Sequence, residues 1–158
     1  MKKVFCLLLL AMLCLCPAAY AQKNMTAAQQ RVQTNIKSFL ASEGYVPTMD
    51  TSDNSVKFKK AGATYWVYVE ESGPYYITTQ RAGYGLESRS RAAAVLAANE
   101  CNSSKKAAKT YVTDESVVFV VETFVTTAAE YQRVFHRIMS VLDSAMEQFD
   151  EEYERFSE

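Results

Sequence analysis

Ser55-Val56-Lys57-Phe58-Lys59-Lys60-Ala61-Gly62-Ala63-Thr64-Tyr65-Trp66-Val67-Tyr68-Val69-Glu70 is the stretch whose reading decides the fold. Val56 and Phe58 alternate with Lys57 and Lys59, the period of two that marks a half-buried strand. Ala61-Gly62 is a two-residue turn, and the aromatic and β-branched run from Tyr65 to Val69 is the returning strand. The turn sets the register: Phe58 faces Tyr65 and Val56 faces Val67 on one side. Trp66 and Tyr68 therefore point to the other side, with Lys57 and Lys59.

Outward from this hairpin the pattern continues. Ser72-Gly73-Pro74 is a turn into a third strand, Tyr75–Arg81, read as placing Tyr75 and Ile77 on the side of Trp66. Gly83 and Gly85 open a flexible connection to an alanine-rich helix, Ser90–Cys101. Lys109–Thr113 and Ser116–Val125 form a second hairpin, with Val117, Phe119 and Val121 on one face and Tyr111, Val118 and Val120 on the other. Thr26–Glu43 is a helix capped by Thr26 with Gln29 and stopped by Gly44, its apolar stripe running Val32, Ile36, Phe39 and Leu40. Pro47 and Asp50-Thr51-Ser52-Asp53-Asn54 form a loop. Thr127-Ala128-Ala129-Glu130 is a second capping box, starting a long terminal helix with the stripe Tyr131, Val134, Phe135, Ile138, Leu142, Ala145, Phe149 and Tyr153. Its acidic last turns are expected to repel and fray.

The expected order is αβββαββα: an α+β fold with short, antiparallel strand connections. No linker divides residues 22–158, which read as a single domain.

Residues 1–21 read as an export signal. Lys2 and Lys3 precede an apolar run from Val4 to Cys16, and Ala19-Tyr20-Ala21 supplies the cleavage pattern. The run is too short for a membrane span, so no stable anchor is expected after cleavage. The expected location is a bacterial periplasm or the extracellular space. Without Lys2 and Lys3, 15 of the 17 Lys and Arg remain against 18 Asp and Glu, a net charge of about −3. That balance leaves no basic stripe for nucleic acid.

Of four cysteines only Cys101 lies beyond the signal, which excludes an internal disulfide. Cys101 suits a small buried position, the alternative being a disulfide between two copies. No cofactor or metal is expected, since Cys101 and the sole histidine, His136, do not make a zinc site. His136 shares a helix face with Gln132, Ser140 and Asp143, and reads as solvated rather than catalytic.

The stretches Ile36–Leu40 with Glu43-Gly44-Tyr45, Val56-Lys57-Phe58, Tyr65–Val69, Ala97–Asn102, Lys109–Val112, Val120–Val125 and Phe135–Leu142 resemble the YbjN-like family, whose fold is that of type III secretion chaperones. The resemblance implies a five-stranded antiparallel sheet with the first and last helices packed on one face. It also implies homodimers that bind extended protein segments without catalysis. Those chaperones are cytosolic whereas this chain carries an export signal, so what carries across is a sheet that binds protein.

The residues expected to meet a partner are Trp66, Tyr68, Tyr75, Ile77 and Tyr111. The function expected is an exported, non-enzymatic protein-interaction module, chaperone-like, with a protein partner and a homodimer as one form of it. The alternative is a small exported ligand-binding protein or hydrolase using His136 with carboxylates such as Glu70 and Glu122. A broad apolar face on the sheet favours the first, and a deep polar pocket beside His136 favours the second.

Overall fold

In the computed structural model the described residues are 25–50, 52–70, 76–86 and 90–157. The segment read as an export signal and Tyr75 lie outside them. The elements run α1 (Ala27–Ser42), β1 (Thr48–Asp50), β2 (Ser55–Lys60), β3 (Ala63–Glu70), β4 (Tyr76–Gly85), α2 (Arg91–Ser104), β5 (Ala108–Val112), β6 (Ser116–Thr123) and α3 (Ala128–Ser157). One antiparallel sheet has the strand order β1-β2-β3-β4-β6-β5. The fold class is α+β as expected, with six strands in place of five. The extra strand is β1, whose three residues follow Pro47 and pair Met49 with Val56. Three residues are too few for alternation to register, so the sequence reads there as loop.

The β2–β3 turn is the expected one. Lys60 pairs with Ala63, and Ala61 and Gly62 take positive φ values of 49° and 83°, as a hairpin turn matching strand twist requires. Val56, Phe58, Tyr65 and Val67 are buried on the same face. β4 continues four residues beyond Arg81, through a register shift between Ala82 and Gly85. A Cβ on Gly83 would lie 2.2 Å from the Val117 carbonyl oxygen and 2.8 Å from Phe119. Gly83 is therefore a close-packing position inside the sheet, not a flexible connection.

The three helices of the described residues lie on the Phe58–Tyr65 face. α1 is closed at its start by the reciprocal Thr26–Gln29 box, and at its end by Gly44 N–H on Ala41 O and Tyr45 N–H on Leu40 O. Its buried spine is Gln29, Gln33, Ile36 and Leu40, with Val32 and Phe39 half-buried. Two glutamines can stand in the spine because their amides donate to main-chain carbonyls of Val69 and Asn54 at the end of the sheet.

α2 packs its small residues Ala94, Ala97, Ala98 and Cys101 against α3 and β5. The Cys101 thiol lies 3.2 Å from Thr110 Oγ1 and 3.4 Å from the Ala145 carbonyl. Its complete burial gives the small-core reading, since the thiol has no route to another chain without unpacking this layer.

α3 buries Tyr131, Phe135, Ile138, Met139, Leu142, Ala145 and Phe149. It does not fray at its acidic end but runs to Ser157. Tyr84 OH donates to Asp150, the Ser90 N–H donates to Tyr153 OH, and Arg155 Nη2 lies 2.6 Å from Glu152. These contacts, with Tyr153 and Phe156 packed at the core margin, hold a segment whose charge alone would loosen it.

Candidate functional site

Every helix among the described residues lies on one side, so none of them covers the opposite face of the sheet. Strand pairing builds that face in rows. Lys57, Trp66, Gln80, Val120 and Lys109 lie side by side across β2, β3, β4, β6 and β5. To one side of it Lys59 pairs with Thr64, and Ala82, Val118 and Tyr111 follow one another; on the other flank so do Tyr68, Thr78 and Glu122. Trp66, Tyr68 and Tyr111 are thus on one surface, as read from the sequence. The helix α2, which could have covered them, is on the far side because its small-residue face meets α3.

Trp66 and Tyr68 are partly exposed and Tyr111 is 44% exposed. Lys57 Nζ stands 5.5 Å from the Trp66 ring centroid, so the ammonium interacts with the ring's negative face. Tyr68 OH donates to Asp53 Oδ2 at 3.3 Å. The Tyr68 phenol is held well above its ordinary value, first by burial and then by the Asp53 carboxylate, with a smaller push from Tyr111. Burial and then Glu122 raise Tyr111 in the same way. Both hydroxyls stay protonated at neutral pH and serve as hydrogen-bond groups at the edge of an apolar patch.

Ile77 does not belong to this surface. It pairs with Val69, which stands two residues along from Val67, and residues opposite each other in an antiparallel pair project to the same face. Ile77 is consequently a core residue with 1% exposure.

The rival centre at His136 is a separate place. The imidazole is exposed, and its Nε2 lies 3.1 Å from Glu43 Oε2. A polar cleft of about 340 Å³ adjoins it, lined by Tyr45, Lys60, Ser140, Asp143, Ser144 and Glu147 among others. Three of its polar side chains are engaged: Lys60 Nζ binds Asp143 Oδ2 at 2.9 Å, and Ser144 Oγ accepts from Lys105 Nζ at 2.8 Å. Glu122 lies across the sheet, paired with Lys109. The Glu70 side chain is outside the described residues. The fold therefore does not gather His136 and Glu122 into one site.

Sequence reasoning missed Arg81, which is 9% exposed on β4. Its Nε donates to Tyr65 OH at 2.9 Å and lies 4.0 Å from Asp143 Oδ1, while Nη1 contacts Met146 Sδ. Arg81 shares parity with Ile77 and Thr79, the core-facing positions of β4, and reading Ile77 onto the side of Trp66 hid it. Among the described residues no group of three or more His, Cys, Asp or Glu is placed to hold a metal ion. None of their helices is long and apolar enough to cross a membrane. No family model and no curated protein matches the chain.

Proposed function

We propose that this chain is an exported, non-enzymatic protein-interaction module that presents the sheet face opposite its described helices to a protein partner, in the manner of a chaperone. The observation that carries the reading is the joint placement of Trp66, Tyr68, Tyr111, Val118 and Val120 on that face, opposite all three helices. The accessible part of this face is supplied by the partly exposed rings of Trp66 and Tyr68 and by Tyr111, which is 44% exposed, while Val118 and Val120 lie buried between them. Trp and Tyr also carry much of the energy of protein interfaces, because their rigid side chains lose little entropy on binding. Export rests on the charge, apolar run and small-residue pattern of residues 1–21. The resemblance to the YbjN-like family and to secretion chaperones points the same way, toward protein binding without chemistry.

The test replaces Trp66 and Tyr68 together by Gln and Thr. Capture of partners from an envelope extract, or self-association of the purified chain, is lost while the urea midpoint stays near that of the unmodified protein. A strongly lowered midpoint with capture and sedimentation unchanged would return both aromatics to a purely structural role.

A further inference from the structure

β5 is the last strand of the sheet, and its outer edge would ordinarily offer a row of unpaired N–H and C=O groups to another chain. At the centre of this edge stands Asn102, from the final turn of α2. Its Oδ1 accepts from the Thr110 N–H at 2.8 Å, and its Nδ2 donates to the Thr110 carbonyl at 2.8 Å. A carboxamide has the donor and acceptor of a peptide group, so Asn102 occupies the outward N–H and C=O of Thr110, the middle residue of β5. We infer that the Asn102 side chain is a guard that holds the β5 edge closed to pairing with the β5 edge of a second copy of this chain.

The guard is held in place. Its neighbour Cys101 is fixed in the core by Thr110 Oγ1 and the Ala145 carbonyl, and the Lys105 N–H closes the helix end on the Cys101 carbonyl. Asn102 thus sits opposite Thr110 with its backbone already ordered, and the two hydrogen bonds form without fixing a mobile segment.

The other edge of the sheet has a different protection. β1 has three residues and follows Pro47, the short, proline-flanked form that natural edge strands take. β5 has five residues and lies beside β6, whose Val117-Val118-Phe119-Val120-Val121 core is strongly strand-forming. It is the edge with something to guard.

The occupant is a second copy because β5 is compatible with itself. Antiparallel pairing about a two-fold axis at Thr110 sets Lys109 against Tyr111 of the other copy and Ala108 against Val112. No like charges meet, and the main-chain groups that point outward at alternate residues face each other. The inference differs from the face proposed above in resting on main-chain groups at the sheet's edge, although Lys109 and Tyr111 of β5 belong to both.

Asn102→Ala tests it. Sedimentation velocity over a range of concentrations is expected to show a species of roughly twice the mass of the unmodified protein's main species. Adding Val112→Pro, which removes another outward N–H from the same edge, is expected to restore the original sedimentation. Unchanged sedimentation of Asn102→Ala with an unchanged urea midpoint overturns the inference, as does association that survives Val112→Pro. Hydrogen exchange on the unmodified chain gives a readout independent of any variant's folding: the Thr110 amide exchanges much more slowly than the Val112 amide. Equal rates at the two positions would show that the guard is not closed.

Discussion

The ion cluster between β4 and α3 gives a quantitative test of how the helical layer is fixed to the sheet. Asp143 lies between two cations, Lys60 at 2.9 Å and the largely buried Arg81 at 4.0 Å, and its Oδ1 also accepts from Tyr65 OH at 3.4 Å. Asp143→Asn keeps the shape and removes the charge. For unit charges 4 Å apart the attraction is about 1 kcal/mol in water and about 4 kcal/mol at an effective dielectric constant of 20. The Asp143 side chain is 40% exposed, so water screens the interaction and the expected loss is about 1–3 kcal/mol. Arg81→Met exchanges the inner cation for an apolar side chain and is expected to stay within about 1 kcal/mol of the original stability, because the guanidinium no longer has to be desolvated. The double variant then loses less than the sum of the two, since Asp143→Asn no longer abandons Arg81 in the core. Urea unfolding of all four proteins measures the cycle. Additive losses, or a loss from Asp143→Asn below about 0.5 kcal/mol, would refute the idea that Asp143 compensates Arg81.

Two other outcomes follow from the helical layer. Leu142→Ala should cost about 2–5 kcal/mol because Leu142 is fully buried on α3, whereas His136→Ala, at a residue whose side chain is 75% exposed, should cost little; equal losses in urea unfolding would mean that α3 is rotated. Stability should also fall above about pH 10: burial raises the folded-state values of Tyr65, Tyr68 and Tyr131, so their stabilising contribution is complete below the unfolded tyrosine value and is lost as pH rises through the folded ones. Ultraviolet titration of tyrosinate alongside the urea midpoint checks this, and folded protein whose tyrosines all ionise at the ordinary value would contradict it.

Local chemistry wrote several features directly into the sequence. Alternation and a two-residue turn put Phe58 with Tyr65 and Trp66 with Lys57, because side chains in a strand change sides at every residue and a tight turn fixes which residues stand opposite. The capping residues Thr26 and Thr127 and the stop at Gly44 are equally local, each satisfying main-chain groups within one turn of helix. Most of the candidate face, Trp66, Tyr68 and Tyr111, was legible for the same reason.

Packing between distant segments decided the rest. β1 exists only because Met49 finds Val56, and no three-residue pattern announces a strand. Ile77 went to the core through its pairing with Val69, across a connection whose length the local pattern does not weigh. Gly83 and Gly85 looked like a flexible connection and became strand because β6 was there, pairing with Gly85 and packing closely against Gly83. The acidic end of α3 stayed helical because Tyr84 and Ser90 reach it from other elements. The side taken by α2 depended on its alanines fitting against α3, and that one choice left Trp66, Tyr68 and Tyr111 on the face opposite the described helices. Propensity and alternation act within a few residues. Which of two apolar faces is covered is settled by the shapes that meet across the whole chain.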